Sequence, residues 1–518
     1  MRSSNTPKRK IQKVKLVETT KTTSELFKGR ESNELVLGFS GAVGCGINIV
    51  IDTTKQLLES NGYTVEIIKL SAIISELNNK EKLNIKHKPA VERFETLQIA
   101  GNTLRNTYGN DILAELATSK ITEKRTSTIP EDENIESHVP DKTAYLIDQL
   151  KHPDEVEFLW KVYGKLFVMI GVLASYKLRK GHLTDNDISS SEAERIINRD
   201  RKEDEKHGQQ LDKTLLLADF FIRNNLQTDH INNQVDRLIK LIHGANGVTP
   251  TQHEFAMYAA FSAGLKSACL SRQVGAAITD KKGNILATGC NDVPKAGGGL
   301  YDESDKEGDF RCVNYKERKC SNNVYKNSLQ TKIKEILVDD GKILEEEAEK
   351  LVKTMSNDTR LRDLIEFSRS VHAEMDALTT IARIGGTATK KGFLYTTTFP
   401  CHNCARHIVA AGINKVFYIE PYEKSLAIEL HGDAIDIEDE STDKLQIIHF
   451  EGVAPRRYLH FFTPHGERKD NLGKAINIPV RTATKKNFEY LDSYRDLEKK
   501  VVSQLAEVGL IPKPKTTK

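Results

Sequence analysis

Short apolar runs alternate with amphipathic stretches along most of this chain. Glu34–Gly41 reads as a buried strand, and the Ile47–Ser60 stretch after it carries apolar residues at helical spacing. Ala144–Asp148 predicts a second strand in this half. Beyond residue 252 the pattern recurs. It predicts a helix over His253–Leu270, strands over Val274–Asp280 and Asn284–Asn291, and a strand over Phe393–Phe399. A last helix is expected over Tyr490–Val508. Alternation of this kind marks α/β units.

The punctuation suggests boundaries. Residues 1–30 hold nine Lys/Arg against two Glu. We read 1–32 as a basic, disordered tail, although such an arm could also touch nucleic acid. Residues 33–242 form a first α/β domain. The Gly- and Pro-bearing stretch 243–252 is a linker. Residues 253–465 form a second domain, and 466–518 a C-terminal extension.

Composition narrows the class. With 76 basic against 73 acidic residues the net charge is only +3, which argues against a dedicated polyanion coat. The longest apolar run, Leu166–Tyr176, is too short to span a bilayer, which needs about 20 residues. No apolar stretch follows the first charges, so no membrane association and a cytoplasmic location are expected. Seven unevenly spaced Cys do not make a disulfide framework, and clustered Cys then point to metal or catalysis.

Two motifs carry chemistry. The first is the turn Gly41, Ala42, Val43, Gly44, Cys45, Gly46 between strand and helix. Glycines there let backbone N–H groups approach phosphates at a helix N-terminus. A Walker A loop continues with Lys and Ser/Thr; this chain has Ile47 and Asn48. Three readings stand: a phosphate-binding loop with altered or lost catalysis, a kinase with a displaced Lys, or a plain tight turn. The first is adopted, with the bound nucleotide left open. Asp148 stands where a Walker B acid would.

The second motif is His372-x-Glu374, followed by Pro400-Cys401-x-x-Cys404. This H-x-E…P-C-x-x-C pattern is that of zinc deaminases. His372, Cys401 and Cys404 supply three zinc ligands, the number a catalytic site uses while keeping one position open. Cys401 and Cys404 fall on one side of a first helical turn, whose dipole favours thiolates. Glu374 sits at a helix start, placed to move protons without ligating. A purely structural zinc would want a fourth ligand, and His402 between the two Cys would strain the geometry. Cys312 and Cys320 form no C-x-x-C pair, so a second, structural zinc is not favoured over free thiols. Asn291, at a strand end, is a candidate for holding a sugar.

At this point the residues resemble a known family. The stretches HEFAMYAAFSAGLKSACLSRQVGAAITDKKGNILATGCND, VHAEMDAL and LYTTTFPCHNCARHIVAAGINKVFYIEPY look like the deoxycytidylate deaminases. KSLAIELHGD, FEGVAPRRYLHFF and the P-loop-like first half resemble the fused bacterial anti-phage dCTP deaminases. The resemblance implies a nucleotide-kinase-like P-loop α/β domain. A cytidine-deaminase-like three-layer α/β/α domain with a mixed sheet follows it. It implies zinc-dependent deamination of dCTP and/or dCMP to dUTP or dUMP, depleting dCTP as antiviral defence and gated by the first domain. It implies a homo-oligomer and, for some members, an inhibitory small RNA. It also implies Asn291 at the sugar, with Lys424, Arg456 and Arg457 as candidate triphosphate contacts. The alternatives are a housekeeping dCMP deaminase for thymidylate synthesis and a nucleic-acid editing deaminase.

Overall fold

The computed structural model describes residues 23–512 apart from 131–137, 186–187, 202–206, 226, 360, 362–363, 386–388, 423, 439–440, 442, 465, 484 and 487. Most of the basic tail, residues 1–22, thus lies outside the described residues. Among the described residues twelve strands form two six-stranded mixed sheets with helices between and around them, an α/β architecture. The strands are β1 (Leu35–Gly41), β2 (Thr64–Lys69), β3 (Thr143–Asp148), β4 (Phe167–Leu173), β5 (Phe220–Arg223), β6 (Gly275–Thr279), β7 (Ile285–Cys290), β8 (Phe393–Thr398), β9 (Lys415–Glu420), β10 (Ile435–Asp436), β11 (Leu445–His449) and β12 (Gly452–Val453).

The first sheet has the order β12-β5-β4-β1-β3-β2, with β1 to β5 parallel. Every residue of β1 and β4 is buried, which is why both read as continuous apolar runs. Most of the Leu166–Tyr176 run, Phe167–Leu173, is accordingly a core strand. No helix among the described residues is long and apolar enough to cross a membrane.

The second sheet has the order β10-β11-β9-β8-β6-β7, antiparallel around β6 and parallel from β8 to β10. The helix before β6 spans Gln252–Gly264, opened by a Thr251–Glu254 capping box. It is shorter than its apolar pattern predicts. Gly264 packs backbone-to-backbone against Gly275, and the chain then turns away through 265–272 toward the His372 region.

Two joints tie the sheets together. After β11 the chain leaves the second sheet, and β12 pairs antiparallel with β5 of the first. Glu254 accepts from Val453 N at 2.9 Å and pairs with Arg237. The chain ends also meet on the first sheet. Residues 23–28 are helical, Glu31 bridges to Tyr490, and the helix Leu491–Glu507 lies on the helix Ile112–Ser127. There the buried Arg125 pairs with Glu34 at 2.7 Å and with Glu498.

One buried histidine sets a pH dependence. His243 Nδ1 lies 2.8 Å from the Ile239 carbonyl and Nε2 2.8 Å from the Tyr63 hydroxyl, so Nδ1 donates and Nε2 accepts. Burial, with Lys485 and Lys142 nearby, pushes its pKa from 6.5 down to about 4. The unfolded chain therefore binds more protons in that window. The stabilising contribution is complete above pH 6.5 and is lost as pH falls through 4, to a total of about 3 kcal/mol. Thermal unfolding should show a melting temperature that drops across this window, and His243→Gln should flatten the drop. An unchanged slope would remove His243 from the acid response.

Candidate active site

Two helix starts build the site. His372 is the N-cap of the helix Ala373–Ile384, and Cys401 the N-cap of the helix His402–Ala410, which β8 feeds through Pro400. His372 Nδ1 lies 3.3 Å from both Cys401 Sγ and Cys404 Sγ. Possible ligand atoms of the three residues lie within 4.8 Å of one another. Both Cys are buried. The donor set is one imidazole and two thiols, with no further His, Cys, Asp or Glu in the cluster among the described residues. That set fits a zinc ion with an open coordination position.

Electrostatics follow from helix geometry. The Cys404 N–H points at Cys401 Sγ, 3.4 Å away. Hydrogen bonds from Cys404 and from His372 pull the Cys401 thiol down to about 4. The buried Cys404 thiol, beside Cys401, is pushed up. Glu374 is buried in the first turn of its helix, with Oε2 3.6 Å from Cys404 Sγ. Burial raises its pKa.

These groups open into a cavity of about 170 Å³. Asn291 lines it, but its amide is already engaged: Oδ1 accepts from Val274 N (2.7 Å) and Nδ2 donates to the Arg272 carbonyl (2.8 Å). Arg272 and Tyr422 also line the cavity, with the guanidinium 5.8 Å from the Tyr422 ring centre and 3.5 Å from Glu420. The wall opposite is built by the polar insertion between β7 and His372, through Asn322, Ile365, Ser368 and Ser370. That insertion contains two helices, Ser321–Asp339 and Glu345–Asp358. Neither Arg272 nor this wall is announced by spacing, although Arg272 lies just ahead of the β6 pattern.

The other candidates lie elsewhere. Lys424 is exposed on the turn after β9 and does not line the cavity; its neighbour Ser425 donates to the Pro400 carbonyl at 2.7 Å. Arg456 and Arg457 are held at the joint between the sheets. Both pair with the fully buried Asp219, at 2.8 and 3.2 Å, and Arg456 covers the Trp160 ring at 4.4 Å. The burial of Asp219 demands these cations, so they are not positioned for a triphosphate in the His372 cavity. Cys312 and Cys320 join no metal-ligand cluster among the described residues. The Gly41–Gly46 turn belongs to the first sheet. It has Gly44 and Gly46 in the left-handed region, and a buried Cys45 thiol pushed up to about 11 by desolvation.

One glycine makes the geometry attainable. A Cβ at Gly289 on β7 would overlap the Ala373 carbonyl oxygen and the Ala377 nitrogen. The helix carrying Glu374 therefore rests directly on the β7 backbone. The Cys290 N–H donates to Asp376 Oδ2 at 3.1 Å, fixing the helix there.

Comparison with known proteins agrees with this chemistry. Residues 250–420 match the family described as the cytidine and deoxycytidylate deaminase zinc-binding region. Deoxycytidylate deaminase of Enterobacteria phage T4 is 28% identical over 164 residues, covering 31% of this chain and 73% of the relative. A UPF0200 protein of Halobacterium salinarum is 30% identical over 106 residues, covering 20% of this chain and 54% of the relative. The apo structure of the dCMP deaminase from cyanophage S-TIM5 covers 38% of this chain and 98% of its own, at 18% identity and a TM-score of 0.21, too low to carry a structural argument. Over residues 250–420, then, the chain is similar to the cytidine and deoxycytidylate deaminases, and it is an enzyme acting on carbon–nitrogen bonds.

Proposed function

We propose that this protein hydrolyses the exocyclic amine of a free deoxycytidine nucleotide, dCTP and/or dCMP, to give dUTP or dUMP and ammonia. The observation that carries this reading is the His372–Cys401–Cys404 cradle with Glu374 beside it, at the floor of a cavity edged by Arg272. Zinc held by the three residues would supply the Lewis acidity that makes water a nucleophile near neutral pH. Glu374 takes the proton of the attacking water and delivers protons to the ring nitrogen and to the departing amine. The water oxygen bonds to the amine-bearing carbon, the carbon–nitrogen bond breaks, and uracil and ammonia remain. Tyr422, Phe399 and Ile365 supply apolar surface for the base. The insertion wall supports a single nucleotide over a continuing strand.

Arg272 is the cation at this cavity suited to a substrate phosphate. Arg272→Ala should raise KM for dCMP about tenfold to a hundredfold, the effect of a lost charge-assisted contact, with kcat within a few-fold. An unchanged KM would move the phosphate elsewhere.

Product analysis with dCTP, dCMP, CTP, deoxycytidine and single-stranded DNA tests the whole reading. Uracil nucleotides from dCTP or dCMP are expected. Uracil in DNA with free nucleotides untouched would overturn it in favour of editing. Depletion of dCTP as antiviral defence, gating by the first half, oligomer formation and control by a small RNA are part of the same proposal. They rest on the resemblance to the fused dCTP deaminases.

A further inference from the structure

The Gly41–Gly46 turn already holds an anion, and the chain supplies it. Val43 N–H donates to Asp200 Oδ2 at 2.6 Å. Lys151 Nζ donates to Asp200 Oδ1 at 2.7 Å and to the Gly41 carbonyl at 2.8 Å. Asp200, near the end of the helix Ser190–Arg201, is fully buried, and Lys151 nearly so. A carboxylate thus occupies the amide and the cation that a glycine-rich turn offers to a phosphate. Lys151 arrives from beyond β3 and brings to the turn the positive charge that Ile47 cannot.

A second cation stands beside it. Arg179 Nε donates to the Val43 carbonyl at 3.0 Å, while its Nη2 is buried without a hydrogen-bond partner. Arg179 belongs to the helix Tyr176–Thr184, which covers the crest of the turn. His182 Nδ1 lies 2.7 Å from the Gly44 carbonyl, and a Cβ at Gly44 would strike the Arg179 carbonyl. Both covering helices come from the β4–β5 connection.

We propose that the Gly41–Gly46 turn is an anion site kept shut by the chain's own Asp200, which opens to the terminal phosphate of a nucleoside triphosphate when the helix Ser190–Arg201 withdraws. Lys151 is paired with Asp200, and the charge of Arg179 is also within reach of it, with Asp148 near Lys151 and Asp212 near Arg179 as further carboxylates. A phosphate carries more charge and more acceptor oxygens, so it satisfies Val43 N–H, Lys151 and Arg179 Nη2 together. The closed state weakens apparent affinity by the fraction of molecules that are open. This rests on reading residues 41–46 as a phosphate turn and is independent of the deaminase reading.

Calorimetric titration of the full chain with ATP, and separately with inorganic tripolyphosphate, tests it. Asp200→Asn should bind both at least about tenfold more tightly than wild type, because the internal competitor has lost its charge. Asp200→Glu should return affinity toward wild type, and Arg179→Ala added to Asp200→Asn should cancel the gain. Equal affinity of wild type and Asp200→Asn, or no binding by either, overturns the proposal. ATP binding without tripolyphosphate binding also overturns it, by placing recognition on the nucleoside. Should Asp200→Asn fail to fold, amide hydrogen exchange of wild type at saturating ATP decides. Faster exchange over 190–200 with slower exchange at Val43 supports the displacement, and unchanged exchange at both sinks it. Neither readout involves deamination, so a failure here leaves the proposed activity standing.

Discussion

Glu374→Gln should retain one zinc per chain and lose about 10⁴-fold in kcat, the upper end of what a single proton-transferring group supplies. Gln keeps the volume and the helix start but cannot carry a proton. Zinc retention is expected because His372, Cys401 and Cys404 form the ligand set without the carboxylate. Metal analysis and steady-state kinetics on the same preparation separate the possibilities. A near-normal kcat would take Glu374 out of the proton path. Loss of zinc would make it a ligand and leave no open position for chemistry.

Gly289→Ala should also be damaging, by a smaller factor, although it touches no substrate. The added methyl must displace the backbone at Ala373 and Ala377, which lies on the same helix as Glu374 and directly follows His372. A displacement near 1 Å at a catalytic group costs about a hundredfold in rate, and that is the expected fall in kcat/KM. A Gly289→Ala protein with wild-type kinetics would show that this helix can lift from β7 without disturbing the site. A simple stability defect would instead lower the melting temperature and leave the kinetics of the folded fraction unchanged.

Much of the local structure was legible because its signals are local. β1 and the helix Ile47–Ser60 follow from a continuous apolar run, a glycine turn and a helical repeat within 26 residues. The two metal motifs lie at helix starts because Pro400 precedes a helical repeat and His372 immediately precedes another. The helix Gln252–Gly264 is shorter than its pattern predicts for the opposite reason. Its apolar pattern continues past Gly264, where the backbone of Gly275 from β6 packs against it.

The candidate phosphate contacts show where local signals stop. Lys424, Arg456 and Arg457 are basic residues in suggestive segments, yet the partner that claims Arg456 and Arg457 is Asp219, more than 230 positions away. Arg272 has a less distinctive setting and reaches the cavity because the chain turns after Gly264.

The sequence by itself determined the strand and helix types, the His372, Cys401 and Cys404 motif with Glu374 beside it, and the glycine turn. Each depends on spacings within one element or on residue types with few chemical alternatives. Only the tertiary structure decided that β12 joins the first sheet, that the insertion walls the cavity, that Gly289 sets the height of the helix carrying Glu374, and that Asp200 sits on Val43. Those contacts join segments far apart in the chain, and which distant groups meet is set by packing the two sheets and their helices into one body.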